Sequence, residues 1–492
     1  MFDRCLSRLR AAWKPFAAGR GAGLPVATPP RSLRHRYTAG FSLVAAAHFA
    51  VLPASAQESP PGRSIAVVRD AETEQLMRDY LRPILGAAGL PSGATEVVLV
   101  NDSSFNAFVA DSHRIFINTG VITQAKTPNE VIGVLAHETG HIAGNHLARM
   151  HQAASQAGII AAIGMIAGAG ALVAGAAAGN GSVAGGGAAA ITGGIGLGQR
   201  SLLSYQRGEE DAADRSALTF LQRTKQSAKG MIDTFKRLAN EQLMIARYAD
   251  PYAQSHPMAR DRIANLETKA EASPYWDVKD PPALQARHDM VRAKLIAFTS
   301  SPQTALRQYP PSNTSLPARY ARAVVAYRMG DPQEAQRQVD ALIKSQPSNP
   351  YFWELKGQAM LDLGNPRGAV APLQKAVSLA PSATPIRALY GQALVGAGDP
   401  ASAKQAVTEL NRVVQTDPDD ASAFRFLAMA YGAQGQTAMA DLATARGMAA
   451  QGQLKQASHY AQRAKMGLKM GTPAWLQADD LVTQPSSKSG KN

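Results

Sequence analysis

Two histidines and a glutamate stand at a spacing that suits metal chemistry, in the segment His137-Glu138-Thr139-Gly140-His141. Residues four apart on a helix lie on one face, one turn apart, so both imidazole rings can reach a single metal ion. Glu138 follows the first ligand and can reach a water at an open metal position. Two histidine ligands beside a carboxylate base are typical of a zinc peptidase.

A helix start precedes this motif. Thr127 suits the N-cap, Pro128 the first helical position, and Glu130 the third, where it closes a capping box. Apolar residues then recur at helical spacing, which predicts one helix from Val131 to His146 with a buried face. On that helix His146 lies five residues past His141, so it should point away from the metal and make a surface contact or a contact to a ligand.

A third ligand is available on a later helix. Glu210 lies far beyond His141 in the chain and shares a helical face with Asp214. Alone, such a pair usually marks a solvated face, but after the histidine motif Glu210 is a candidate metal ligand. Asp214 can then accept the second ring N–H of a ligating histidine and hold its tautomer.

The motif pair HExxH and ExxAD resembles the zinc metallopeptidase family of the CAAX prenyl proteases, the HtpX-like proteins and the BepA-like periplasmic proteases. Three further features match that family: Asn106-Ala107-Phe108 before the strand Arg114–Asn118, Ser255-His256-Pro257, and a tetratricopeptide (TPR) array at the end of the chain. One departure is the segment over residues 106–113, which lacks the glycines expected before the strand.

The resemblance implies a mostly helical α+β fold, with a zincin-type (gluzincin) metalloprotease domain followed by an all-α TPR solenoid. It implies one Zn²⁺ per chain, with His137, His141 and Glu210 as ligands. It also implies that His256 faces the zinc. There it either stabilises the transition-state oxyanion or occupies the fourth zinc position and silences the enzyme.

The edge strand beside the zinc helix is the candidate substrate platform. An extended peptide can add to such a strand through backbone hydrogen bonds, with little sequence specificity. Asn106, Ala107 and Phe108 are the residues that we assign to it.

The segment 1–56 is predicted to be an N-terminal extension with a signal peptide. Residues 1–40 hold eight basic residues against one acid, and an apolar run over residues 41–52 leads to the cleavage signal Ala54-Ser55-Ala56. The only cysteine, Cys5, lies in this part, which fits an oxidising compartment for the rest of the chain. We therefore expect a periplasmic protein.

Residues 150–199 are mostly glycine and alanine and carry no Asp, Glu, Lys or Arg. We predict a helical insert in the peptidase domain (57–275), folded as a hairpin broken near Gly179-Asn180-Gly181. Two placements stay open: packing beside the active site or on a membrane surface, and genuine insertion in a membrane. In the resembling family this insert is often membrane-facing, which implies peripheral membrane contact.

A 34-residue period begins near residue 317, with Gly330, Gly364 and Gly398 at equivalent positions. Proline and alanine repeat at the same interval, which is typical of a TPR solenoid. We assign the solenoid to residues 317–470, a linker helix to 276–316 and a disordered tail to 471–492. A solenoid offers a concave surface for partner chains.

Two functions compete on these grounds. The first is a periplasmic zinc endopeptidase that cleaves misfolded or stalled envelope and outer-membrane proteins, with the solenoid recruiting clients or assembly machinery. The second is a TPR chaperone or scaffold whose metal site is latched or inactive. Half of the formal charge of +14 lies in the segment 1–56, and no basic stripe with aromatic residues favours nucleic acid. We expect residues 57–275 to hold the chemistry and the solenoid to select clients.

Overall fold

The computed structural model describes residues 66–93, 95–111, 113–177, 181–244, His256 and 260–483. The predicted leader over residues 1–56 lies outside the described residues. The same is true of the end of the predicted tail, from residue 484. Within the described part the chain is mostly helical with one small sheet, as the sequence predicts.

Four strands form the sheet, and its centre is parallel. Val67–Val68 (β1), Glu96–Val100 (β2), Ala107–Val109 (β3) and Arg114–Asn118 (β4) lie in the order β1-β2-β4-β3. β2 runs parallel to β4, whereas both outer strands pair antiparallel with their neighbours. β3 is therefore an edge strand of the described sheet, joined to β4 as a hairpin.

In the described residues of the N-terminal half, seven helices accompany this sheet. They are Ala71–Ala87 (α1), Thr119–Gln124 (α2), Pro128–Ala143 (α3), His146–Ala177 (α4), Gly181–Arg223 (α5), Lys229–Met244 (α6) and Arg260–Glu271 (α7). Apolar side chains of α1, α3, α5 and α6 share one buried core with the sheet. The start of α3 follows the predicted capping box, because Glu130 accepts the backbone N–H of Thr127 at 3.2 Å.

The helix that carries the histidine motif is shorter than predicted. It ends at Ala143, whereas the sequence indicated one helix up to His146. Asn145 adopts a left-handed conformation with φ of 53°, which asparagine tolerates better than most residues. The break starts α4 in a new direction, so the helical spacing counted from His141 no longer predicts where His146 points.

The Gly/Ala-rich insert forms parts of two long helices, α4 and α5, which pack against each other. Of the predicted break, residues 179 and 180 lie outside the described residues, and Gly181 begins α5. Isoleucine side chains on α4 are exposed to solvent, namely Ile159, Ile160, Ile163 and Ile166. Among the described helices, none is long and apolar enough to cross a membrane.

Residues 282–483, all of which the structure describes, form helices and no strands. They are Pro282–Thr299 (α8), Pro302–Gln308 (α9), Leu316–Met329 (α10), Pro332–Ser345 (α11), Pro350–Asp362 (α12), Pro366–Leu379 (α13), Thr384–Ala397 (α14), Pro400–Thr416 (α15), Ala421–Ala433 (α16), Thr437–Ala450 (α17), Leu454–Gly467 (α18) and Pro473–Thr483 (α19). Gly330, Gly364 and Gly398 follow α10, α12 and α14 with φ of 75°, 78° and 75°. Glycine recurs at this fixed interval because each of these turns needs a left-handed residue.

The predicted disordered tail differs from the structure, because residues 473–483 form α19, whose Ala478 is buried. The predicted linker helix over residues 276–316 corresponds to α8 and α9, and α8 packs into two cores. Val291 and Leu295 join the peptidase core, whereas the opposite face of α8 joins the core of the first repeats.

Candidate metal centre

Helices α3 and α5 bring the predicted ligands together. One ligand atom from each of His137, His141, Glu210 and His256 lies within 4.8 Å of the other three. The helices approach closely at this point because Gly140 stands between the two histidines. A Cβ on Gly140 would lie 2.7 Å from the backbone oxygen of Ala213, so this contact needs glycine.

The donor set fits a metal ion. Nε2 of His137 and Nε2 of His141 are 3.1 Å apart, and each lies 3.4 Å from an oxygen of Glu210. Nitrogen and carboxylate donors that converge on one point, with the ring nitrogens facing each other, are the arrangement that zinc prefers. The buried histidines and carboxylate of this cluster therefore have the chemistry of a metal site.

Behind His137 lies a carboxylate held by an arginine. Nδ1 of His137 is 2.9 Å from Oδ1 of Asp214, and Arg262 donates from Nε to Oδ2 of Asp214 at 2.6 Å. Burial opposes ionisation of Asp214, but these partners outweigh it and lower its pKa. The pKa of Glu210 is lowered well below its usual value in the same way, with burial opposed by His256 and His137.

Nothing in the sequence predicts that Arg262 belongs to this site. It also donates to Glu210 at 3.1 Å, so one guanidinium holds two carboxylates of the site. It lies on α7, a charged helix in which an arginine is ordinary. The chain separation of 48 residues from Asp214 is bridged only by the fold.

Glu138 is the contrasting carboxylate of the site. Its side chain is fully buried, and neither carboxylate oxygen has a hydrogen-bond partner among the described residues. Burial raises the pKa of Glu138, with His256 and His137 opposing. A buried carboxyl group without a hydrogen-bond partner is suited to exchange a proton with a substrate.

His256 reaches the same cluster from the far side. Its Nδ1 lies 3.0 Å from both oxygens of Glu210 and 3.2 Å from Nε2 of His137. Its Nε2 lies 3.5 Å from Oε1 of Glu138. The imidazole thus stands between the candidate ligands and the candidate base.

The predicted substrate strand packs against the helix that carries the two histidines. β3 packs beside α3 and begins at Ala107. Ala107 is fully buried, whereas the ring of Phe108 stacks on Phe116 of β4 at 5.2 Å between centroids. Asn106 precedes the strand, and its carbonyl accepts the backbone N–H of Asn118 at 2.8 Å.

Comparisons with known proteins identify a peptidase domain and a repeat domain in this chain. The model of peptidase family M48 matches residues 70–270, and that of the cytochrome c-type biogenesis protein H TPR domain matches residues 340–448. The beta-barrel assembly-enhancing protease of Yersinia pestis is 23% identical over 394 residues, which cover 78% of each chain. A putative beta-barrel assembly-enhancing protease of Vibrio cholerae is 27% identical over 267 residues, 52% of this chain and 51% of that protein.

Among solved structures, the TPR protein YrrB aligns at a TM-score of 0.30 and 21% identity, covering 36% of this chain and 92% of that one. At that TM-score the similarity is weak. The family matches and the protease relatives carry the assignment instead: the chain is a metallopeptidase with a peptidase family M48 domain and a TPR domain.

Proposed function

We propose that this chain is a periplasmic zinc endopeptidase that cleaves misfolded or stalled envelope and outer-membrane proteins. The observation that carries the proposal is the convergence of two histidines and Glu210 on one point. Beside it lies Glu138, whose oxygens have no hydrogen-bond partner within the described part of the chain. The names of the relatives support the outer-membrane part of the proposal, since they are proteases that enhance β-barrel assembly.

In this proposal His137, His141 and Glu210 hold one zinc ion. When bound, zinc acts as a Lewis acid that polarises the peptide carbonyl and makes water a stronger nucleophile at neutral pH. Asp214 accepts the Nδ1–H of His137 and so keeps its Nε2 free to bind metal. Arg262 fixes Asp214 in turn.

Glu138 carries the proton transfer. Its carboxylate removes a proton from the attacking water and returns a proton to the leaving amine, a role for which a raised pKa is favourable. Complete burial keeps bulk water from competing for that proton.

The client chain binds as an extra strand on β3. The edge of β3 offers backbone groups to an extended segment, and Asn106, Ala107 and Phe108 are the residues that we assign to this contact. Pairing through backbone groups reads little sequence. That suits an enzyme whose clients share an unfolded state and no common motif.

The remaining parts of the chain determine which clients arrive and where. We assign recruitment of clients, or of the outer-membrane assembly machinery, to the TPR solenoid, since stacked helical repeats present extended binding surfaces. We assign peripheral membrane contact to the α4–α5 pair. Its support is the exposed isoleucine row and the absence of Asp, Glu, Lys and Arg over residues 150–199.

A second function, that of a latched scaffold, is favoured by His256. His256 supplies one of the four convergent ligand atoms, and its Nδ1 lies 3.2 Å from Nε2 of His137, so the imidazole can take the fourth metal position and exclude water. We propose that His256 is a latch which opens when a client binds. Digestion of an unfolded protein by the wild type, with and without a chelator, separates a working peptidase from a permanently closed scaffold.

The first prediction tests Glu138 as the base. Glu138→Gln is expected to keep one zinc per chain and to lower turnover by about 10²–10⁴-fold, the usual contribution of a positioned general base. Elemental analysis measures the zinc, and cleavage of an unfolded protein measures turnover.

Asp233→Asn, at an exposed carboxylate on α6, is the matched control and should change neither quantity. Near wild-type cleavage by Glu138→Gln would remove Glu138 from the base role. Loss of zinc in that variant would show that it acts on binding instead.

A further inference from the structure

A second histidine lies directly behind the candidate ligand His141. Because α3 ends at Ala143 and Asn145 is left-handed, the chain turns back and His146 becomes buried. Nδ1 of His146 is then 3.0 Å from Nδ1 of His141. The two rings meet edge to face, with 4.9 Å between centroids and an interplanar angle of 89°.

The turn is shaped to admit this ring. A Cβ on Gly144 would lie 2.0 Å from Nε2 of His146, so the imidazole fills the space that any other residue would need for its side chain. Glycine at position 144 and a left-handed Asn145 together let the imidazole pack against the end of α3.

The far side of the same ring contacts a buried carboxylate. Nε2 of His146 lies 3.0 Å from Oε2 of Glu209, and Arg149 donates to that oxygen at 2.9 Å. Glu209 immediately precedes the candidate ligand Glu210 on α5. The chain of contacts therefore runs from His141 through His146 to the helix that supplies the carboxylate ligand.

Hydrogen-bond chemistry gives these contacts a direction. If Nε2 of His141 binds the metal, its Nδ1 carries the ring proton and donates it. His146 accepts at Nδ1, so its own proton lies on Nε2 and is donated to Glu209. All three groups are then satisfied at once, with both histidines neutral.

We propose that His146 and Glu209 are positioning residues which hold the ring of His141 for metal binding. They do for His141 what Asp214 and Arg262 do for His137, with an imidazole placed between the ligand and the carboxylate. The proposal rests on His141 as a metal ligand, as proposed above. It adds that metal affinity depends on a residue that does not touch the metal.

The test measures zinc affinity in the full-length protein, by competition with a chromogenic chelator. His146→Phe removes both hydrogen bonds, and the zinc dissociation constant is expected to rise about 10- to 100-fold. His146→Asn restores an acceptor at the Nδ1 position and is expected to recover part of that loss. His151→Phe, at an exposed histidine on the same helix, is the control and should bind zinc like the wild type.

A cobalt-substituted protein adds a spectroscopic readout, since a displaced His141 ring changes the ligand field at the metal. Unchanged zinc affinity and an unchanged cobalt spectrum in a folded His146→Phe protein would overturn the proposal. So would an equal loss in the Asn and Phe variants, because that pattern indicates packing and not hydrogen bonding.

If the His146→Phe protein does not fold, zinc affinity of the Glu209→Ala protein tests the proposal instead. This substitution breaks the far end of the chain of contacts and should weaken zinc binding in the same direction but less; wild-type affinity there would contradict the proposal. A wild-type protein that binds no zinc would instead overturn the proposed function, so the two failures are distinguishable.

Discussion

At the scale of single residues, the pKa values of the buried carboxyl groups in the site differ because their hydrogen-bond partners differ. Glu210 and Asp214 accept hydrogen bonds from histidine and arginine, which lowers their pKa values although both are buried. Glu138 is equally buried, but its oxygens have no such partner within the described part of the chain, and its pKa is raised. Hydrogen bonding to the charged form thus decides which groups stay anionic as ligands and which can take a proton.

A prediction at this scale concerns His256. If its imidazole occupies the fourth metal position, His256→Ala opens that position and should raise basal cleavage of an unfolded protein. If the imidazole instead stabilises the oxyanion, the same change should lower the rate by about a hundredfold or more.

Initial cleavage rates with one unfolded substrate, measured at equal zinc occupancy, show whether His256→Ala raises or lowers the rate. His113→Ala is the control, at an exposed histidine before β4. A rate unchanged in both variants would contradict both roles and leave His256 as a structural residue.

At the scale of elements, a buried ionic group joins the first helix to the repeats. The Lys294 cluster consists of Lys294 on α8, Asp70 and Glu72 at the start of α1, Tyr320 on α10 and Glu354 on α12. The ammonium of Lys294 lies 2.5 Å from Asp70, and Tyr320 donates to Glu72 at 3.0 Å. One cation thus faces three carboxyl groups, of which Glu72 and Glu354 are buried, and ionisation of all three is therefore costly.

The cluster predicts a pH-dependent stability. Burial raises the pKa of Glu354 to about 8 from 4.5, with Lys294 opposing. The folded state therefore binds this proton more tightly than the unfolded state, so its contribution to stability is present below about pH 4.5. That contribution is lost as the pH rises through about 8.

Glu354→Gln removes the titratable carboxyl group and keeps a side chain of nearly the same size and shape. The free energy of unfolding of the variant relative to wild type should therefore increase from pH 5 to pH 9, by an amount on the order of a few kcal/mol. Chemical denaturation at several pH values measures it, with Glu271→Gln as an exposed control on α7. A difference that does not vary with pH would show that Glu354 titrates normally.

At the scale of the whole molecule, the peptidase and the first repeats share structure. His288 of α8 is fully buried, 3.1 Å from the hydroxyl of Tyr80 and 3.1 Å from the carbonyl oxygen of Ala125. On the other side, Ala71 of α1 packs against Ile386 of α14, and Arg69 pairs with Asp417 beyond α15. The two parts therefore share buried contacts, and the expected division of chemistry and client selection between them stays a prediction.

This sharing predicts the result of truncation. A fragment of residues 57–275 lacks α8, exposes Tyr80 and the apolar face that Val291 and Leu295 cover, and should lose a cooperative thermal transition. A fragment of residues 57–316 retains α8 and should regain one. Calorimetry of the two fragments and of the intact protein measures whether each unfolds in a cooperative thermal transition. Cooperative unfolding of the shorter fragment near the intact midpoint would show that the peptidase folds alone.

The sequence by itself determined the chemistry and the local elements. The motif around His137, the later pair of Glu210 and Asp214, the strands β2 and β4, and the regular period of the repeats could all be predicted. Each depends on residues close together in the chain, where helical and strand periodicities relate spacing to direction. Glu210 was found across a long separation only because a metal peptidase needs a third ligand.

The tertiary structure alone decided which groups support those ligands and how the two halves join. The sequence leaves His146 with two expected roles, a surface contact or a contact to a ligand. The structure decides for the ligand His141, because the left-handed Asn145 ends the helix and turns the chain back. Arg262 and Lys294 meet partners that are distant in the chain. The sequence around a charged residue on a helix does not indicate a partner that is distant in the chain. Only the packing of the elements shows whether such a side chain faces solvent or a buried carboxylate.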